Sequence, residues 1–144
     1  MILQTDKRLN KSINKYGCYF FCILFLGVKY TKYPLSTGKI LDLYLLSVDS
    51  GYMDDECYIE DPDGIFFLLG LLTKYTGKHE SRYYSCGRRD IEILKYERKD
   101  GSPHFVVGNR YGKVAFDPMG TSKAVRDGYL QSKRIFRLVD REVV

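Results

Sequence analysis

The chain has 144 residues, of which 44% are hydrophobic, so a single domain spanning 1–144 can build its own core without disulfide or metal staples. Aromatic residues make up 15%, as 13 Tyr and 8 Phe without Trp, which favours strands and half-buried surfaces and argues against an all-helical bundle. The net charge of +5 comes from 23 basic and 18 acidic residues mixed along most of the chain, a balance that fits an ordinary solvated surface and does not call for nucleic acid or an anionic membrane as partner.

The first dozen residues are polar, with Leu and Ile interspersed, and include the basic stretch "KRLNKSINK". They lead into "YGCYFFCILFLGVKY", which is apolar on every side, and its length predicts a buried helix beginning near Gly17 or Cys18. Its 13-residue apolar run is shorter than the roughly 20 residues that cross a bilayer, so no membrane span is expected. A second helix is predicted from an N-cap at Ser36 or Thr37, with apolar residues at 40, 41, 44, 45 and 48 and a stop at Gly51. "DPDGIFFLLGLLTKYTG" predicts a third, from about Gly64 to Tyr75, closed by Gly77.

The period then changes from helical to alternating. "DIEILKYER", "PHFVVGN", "KVAFDP" and "SKRIFRLVD" read as at least four short strands. Helices followed by antiparallel strands give an α+β fold, N-terminal helices packed on a C-terminal sheet.

"GNRYGK" between the two middle strands reads as a tight hairpin turn. If Asn109 and Gly112 close a two-residue loop, paired positions sum to 221, and His104 lies directly opposite Asp117 on one face of the sheet. A carboxylate placed so can hold one imidazole tautomer and stabilise the imidazolium, as a thiol nucleophile requires of its base. The competing reading is a structural histidine satisfied by a neighbour.

The four cysteines, at 18, 22, 57 and 86, include no C-x-x-C pair, so neither a zinc ribbon nor a thioredoxin-type motif is offered and no metal or other cofactor is expected. With no secretory leader in view, reduced thiols in a cytoplasm are the expectation. Cys18 follows Gly17 at the start of the buried helix, where backbone amides and the helix dipole favour a thiolate. Cys22 lies one turn deeper and, with Cys57 and Cys86, reads as a small buried hydrophobe.

The order of a helix-start Cys, a His on a strand and an Asp at the end of the next resembles the papain-like cysteine peptidase superfamily, and within it the bacteriocin-processing peptidase type and its stand-alone bacterial relatives. "LQTD" matches through Gln4 and Asp6, "KYGCYF" through Gly17 and Cys18, "SPHFVV" through His104, and "FDPMG" through Asp117 and Pro118. The resemblance implies a papain-like fold, a Cys18–His104–Asp117 triad acting on a peptide or protein substrate, and an oxyanion hole shared by Gln4 and the Cys18 amide. One departure is Tyr19, bulky where those relatives usually carry a small residue. The chain is also similar to a family of small proteins carried on spirochaete plasmids and prophages, which implies no activity.

Two other classes compete. In one, the fold persists without catalysis as a module that binds a protein partner, to which the many tyrosines are suited. In the other, "KRLNKSINK" and "SRYYSCGRR" contact nucleic acid through interleaved Arg and Tyr, but no recognised nucleic-acid motif accompanies them.

Overall fold

A computed structural model describes residues 1–80 and 84–139. Helix α1 (Lys11–Tyr16) is opened by Asn10, whose Oδ1 accepts the Ile13 amide at 2.8 Å. After Gly17, helix α2 (Cys18–Thr31) runs through the core with Phe20, Phe21, Cys22, Ile23, Leu24 and Leu26 buried. Each such large side chain removed from water contributes about 1.5–3 kcal/mol. Helix α3 (Thr37–Asp49) begins at the expected cap, Ser36 Oγ accepting the Lys39 amide at 3.2 Å. Helix α4 (Pro62–Leu68) is capped by Asp61, with Pro62 in its first turn.

The strands are β1 (Thr73–His79), β2 (Asp90–Glu97), β3 (Pro103–Gly108), β4 (Val114–Phe116) and β5 (Tyr129–Leu138), with helix α5 (Lys123–Asp127) before the last. They form one antiparallel sheet in the order β1-β5-β2-β3-β4. The fold is therefore α+β, with helices against a five-stranded antiparallel sheet. Helix α2 lies on β3, where Tyr19 meets Phe105 at 4.6 Å between ring centroids, and Phe25 stacks on Phe116 at 4.4 Å.

Three sequence expectations need correction. The third helix does not reach Tyr75: it ends at Leu68, Gly70 takes a left-handed φ of 81°, and Thr73 to Tyr75 already belong to β1. Asp63 in the helix's first turn holds that strand start, accepting Thr73 Oγ1 at 2.7 Å and the Tyr75 amide at 2.9 Å. Helices α1 and α5 were not expected, being six and five residues long and too short to show a period.

The hairpin register is the third correction. Val107 pairs with Phe116 and Gly108 with Val114, across a bulge, so the loop is wider than two residues. Asn109 closes it, its amide donating to the Lys113 carbonyl at 2.8 Å while its Oδ1 accepts the amides of Tyr111 and Lys113. Arg110 and Gly112 both adopt positive φ, and their amides donate to Glu92 Oε2 at 3.0 and 2.9 Å. A buried carboxylate on β2 thus selects a turn that the loop's own residues do not announce. Asp117 consequently lies beyond the end of β4, not opposite His104, whose ladder partner is Tyr96.

Candidate active site

Gly17 is where α1 stops and α2 starts. A Cβ there would lie 2.5 Å from the Ile13 carbonyl oxygen, so only glycine lets the two helices meet this closely. The junction places Cys18 at the first position of α2, where helix amides lack intrahelical partners and the dipole is positive.

His104 and Asp117 come together despite the altered register. His104 Nε2 meets Asp117 Oδ1 at 2.8 Å, and the two side chains are 3% and 6% exposed. The loop after β4 turns back on itself to make this contact: Met119 donates its amide to Asp117 Oδ1 at 2.9 Å, Gly120 donates to the Asp117 carbonyl at 2.8 Å, and Gly120 takes a φ of 84°. Ser122 Oγ donates to Asp117 Oδ2 at 2.7 Å.

The electrostatics follow from these partners. Burial opposes charge on His104, but hydrogen bonds to Asp117 and to the Cys18 thiol, together with their charges, outweigh it and push the imidazole from 6.5 up to about 9. Burial likewise raises Asp117, and bonds from His104, the Met119 amide and Ser122 overcome it, leaving the carboxyl below its ordinary value. Both shifts favour the charged forms, imidazolium and carboxylate, in the folded protein. Cys18, His104 and Asp117 are brought together as three interacting groups.

Gln4 is also at this end of the molecule, 2% exposed. Its amide donates to the Pro118 carbonyl at 3.0 Å, next to Asp117. Its Nε2 donates to the Asn14 carbonyl at 3.2 Å, and its Oε1 is buried without a partner. Asn14 completes the hook, Nδ2 donating to the carbonyls of Gln4 at 2.7 Å and Asp6 at 3.0 Å. Asp6 itself turns away to Arg8, whose hydrogen bonds pull its carboxyl to about 2.

The other three thiols are all pushed up. Burial drives Cys22 well above the usual thiol range, with Cys18 and Asp117 adding to the effect. Cys57 is buried and raised to about 12, mainly by desolvation. Cys86 departs from expectation: it is half-buried rather than core, and its thiol donates to Glu92 Oε1 at 3.5 Å. Burial first, and the Glu92 carboxylate second, raise it to about 12.

A surface cleft of about 600 Å³ runs beside Asp117, bordered by Val114, Thr121, Ser122, Lys123, Val125 and Arg126. A second, of about 540 Å³, lies by Tyr30, Tyr33 and Leu69, at the far end of α2, about 18 Å along the helix from Cys18. Among the described residues no cluster of three or more His, Cys, Asp or Glu could hold a metal ion, and no helix is long and apolar enough to cross a membrane. Part of "SRYYSCGRR" lies outside the described residues.

Ser122 and Asn14 were not singled out in the sequence. A serine five residues beyond an aspartate, or an asparagine in a basic stretch, carries no spacing that announces a contact across the fold.

No curated protein and no solved structure matches this chain. A family model does match it, over residues 1–138, and the chain belongs to that family, described as protein of unknown function, DUF261.

Proposed function

We propose that this protein is a cysteine-dependent amide hydrolase of papain-like fold, with Cys18 as nucleophile, His104 as base and acid, and Asp117 as orienter. The observation that carries the reading is the buried His104–Asp117 pair, 2.8 Å apart, with the helix-start thiol of Cys18 among the groups that raise the imidazole. The Cys18 sulfur attacks the amide carbon, and the electron pair of the carbonyl moves to oxygen, held by the Cys18 amide and the second N–H of Gln4 Nε2. The intermediate collapses, expelling an amine that takes its proton from the His104 imidazolium and leaving a thioester. Water then attacks the thioester, giving its proton to His104, and the carboxylic acid departs as sulfur is released. Asp117 stays ionised throughout and keeps the ring in one tautomer.

Peptide, isopeptide and cell-wall amides share this chemistry, and transfer to an acceptor other than water differs only in the second step. Nucleophile, base and orienter are all side chains, so the scheme requires no cofactor. We place the protein in the cytoplasm, a reading supported by four free cysteines. The test is iodoacetamide alkylation of each thiol from pH 4 to 9, read by peptide mass spectrometry on wild type and His104→Ala. Cys18 should react fastest of the four at acidic pH and lose that advantage in the variant. A Cys18 no faster than an ordinary thiol, and indifferent to His104, would overturn the proposal.

One observation favours a second reading, a non-catalytic module that binds a protein partner: Gln4 Nε2 already donates to Asn14. An active thiol with no turnover on any amide would support it.

A further inference from the structure

We infer that Ser122 is a positioning residue of the triad, fixing the plane of the Asp117 carboxylate so that its other oxygen faces His104. The inference rests on the cysteine-hydrolase reading and extends it to a residue outside the triad. His104 Nε2 and the Met119 amide both donate to Oδ1, at 2.8 and 2.9 Å. Both of those donors fall on one oxygen, so neither holds Oδ2. Ser122 Oγ, donating to Oδ2 at 2.7 Å, holds the other end.

The placement is informative because Ser122 has a competing use. It is the N-cap of α5, with the extended backbone (φ −126°, ψ 148°) from which serine ordinarily accepts a helix amide, yet it makes no capping bond. Serine at this position ordinarily stabilises its helix through that bond, and here the hydroxyl is committed to Asp117 instead. Asp117 and Ser122 both border the 600 Å³ cleft, but the Asp117 side chain is only 6% exposed. The serine bond therefore satisfies Oδ2 within the fold at the edge of that cleft. It is also among the bonds that keep the Asp117 carboxyl ionised.

The test compares wild type, Ser122→Ala and Ser122→Thr by two readouts, the ¹³C titration of the Asp117 carboxyl and the rate of Cys18 alkylation at pH 6, and Asp117→Ala by the second. Loss of one donor in Ser122→Ala should raise the carboxyl midpoint by about 0.5–1 pH unit. It should also slow alkylation roughly three- to tenfold, with Ser122→Thr restoring both. A Ser122→Ala protein with wild-type Tm and both readouts unchanged overturns the role, as does a midpoint that moves while the alkylation rate does not. If Ser122→Ala does not fold, Ser122→Gly, tolerated at an N-cap, is read by the same criteria. Asp117→Ala reports on the triad separately: wild-type alkylation in that variant would sink the hydrolase reading, and the role of Ser122 with it.

Discussion

His104 and Asp117 meet at 2.8 Å without being partners in the sheet: His104 pairs with Tyr96, and Asp117 follows the last residue of β4. The contact is made by a side chain reaching back from a turn, so it depends on the turn's own bonds as much as on the strands.

That contact makes stability pH-dependent in a defined window. His104 is raised from 6.5 to about 9, so its protonated form is favoured by folding, in full below about pH 6.5 and progressively less as pH rises through 9. Asp117 is lowered, so its contribution is present above its unfolded value of about 3.9 and disappears as pH falls through the lower folded one. The stability difference between wild type and His104→Gln, from urea unfolding, should therefore be largest between pH 4.5 and 6.5 and shrink towards pH 9. A difference that stays flat from pH 5 to 10 would contradict the assignment.

Gly17→Ala would place a methyl 2.5 Å from the Ile13 carbonyl oxygen, within the α1–α2 junction that carries the thiol. Backbone must shift, at a cost of about 1–3 kcal/mol. Chemical denaturation should show that loss, and the fast alkylation of Cys18 should decline with it. An unchanged midpoint would mean the junction is looser than the structure shows.

Glu92 and Lys133 form a buried pair, Nζ to Oε1 at 3.4 Å, with side chains 0% and 2% exposed. Lys133 also donates to the Tyr84 carbonyl at 2.9 Å. Glu92→Gln strands the ammonium and should cost about 3–5 kcal/mol. Adding Lys133→Met removes the stranded charge and should recover much of that loss. A double variant no better than Glu92→Gln alone would show that the hairpin amides, not the ion pair, are what Glu92 supports.

Asn14→Ala removes the two side-chain bonds by which Asn14 holds the first residues, those to the carbonyls of Gln4 and Asp6. With two buried or half-buried carbonyls left bare, a loss of about 1–3 kcal/mol is expected, together with faster proteolysis within residues 1–9. Resistance equal to wild type would indicate that the bonds Gln4 itself donates, to the carbonyls of Pro118 and Asn14, secure the segment.

What could be read from the sequence was what depends on local chemistry. The all-round apolar run was long enough to favour a buried helix beginning near Gly17 or Cys18, Ser36 capped α3 because its side chain and the Lys39 amide are three residues apart, and the alternation in "DIEILKYER" marked β2. The positions of Cys18, His104 and Asp117 were legible for the same reason, each lying at a recognisable start or end of an element. The three-residue reach of a periodic pattern explains why α5 was missed and α4 overextended, since Gly70's left-handed turn and Asp63's grip on β1 involve neighbours the pattern does not weigh.

Only the tertiary structure decided how those elements meet. The hairpin's width was chosen by Glu92, some 20 residues upstream of the Gly112 amide it accepts, because a buried carboxylate must find donors and the turn amides were the ones within reach. Gln4 acquired its place through Pro118 and Asn14, and Ser122 its bond to Asp117 at the expense of a helix cap. Local sequence determines which segments form and what chemistry they carry; the satisfaction of buried polar groups across the fold determines which of them touch.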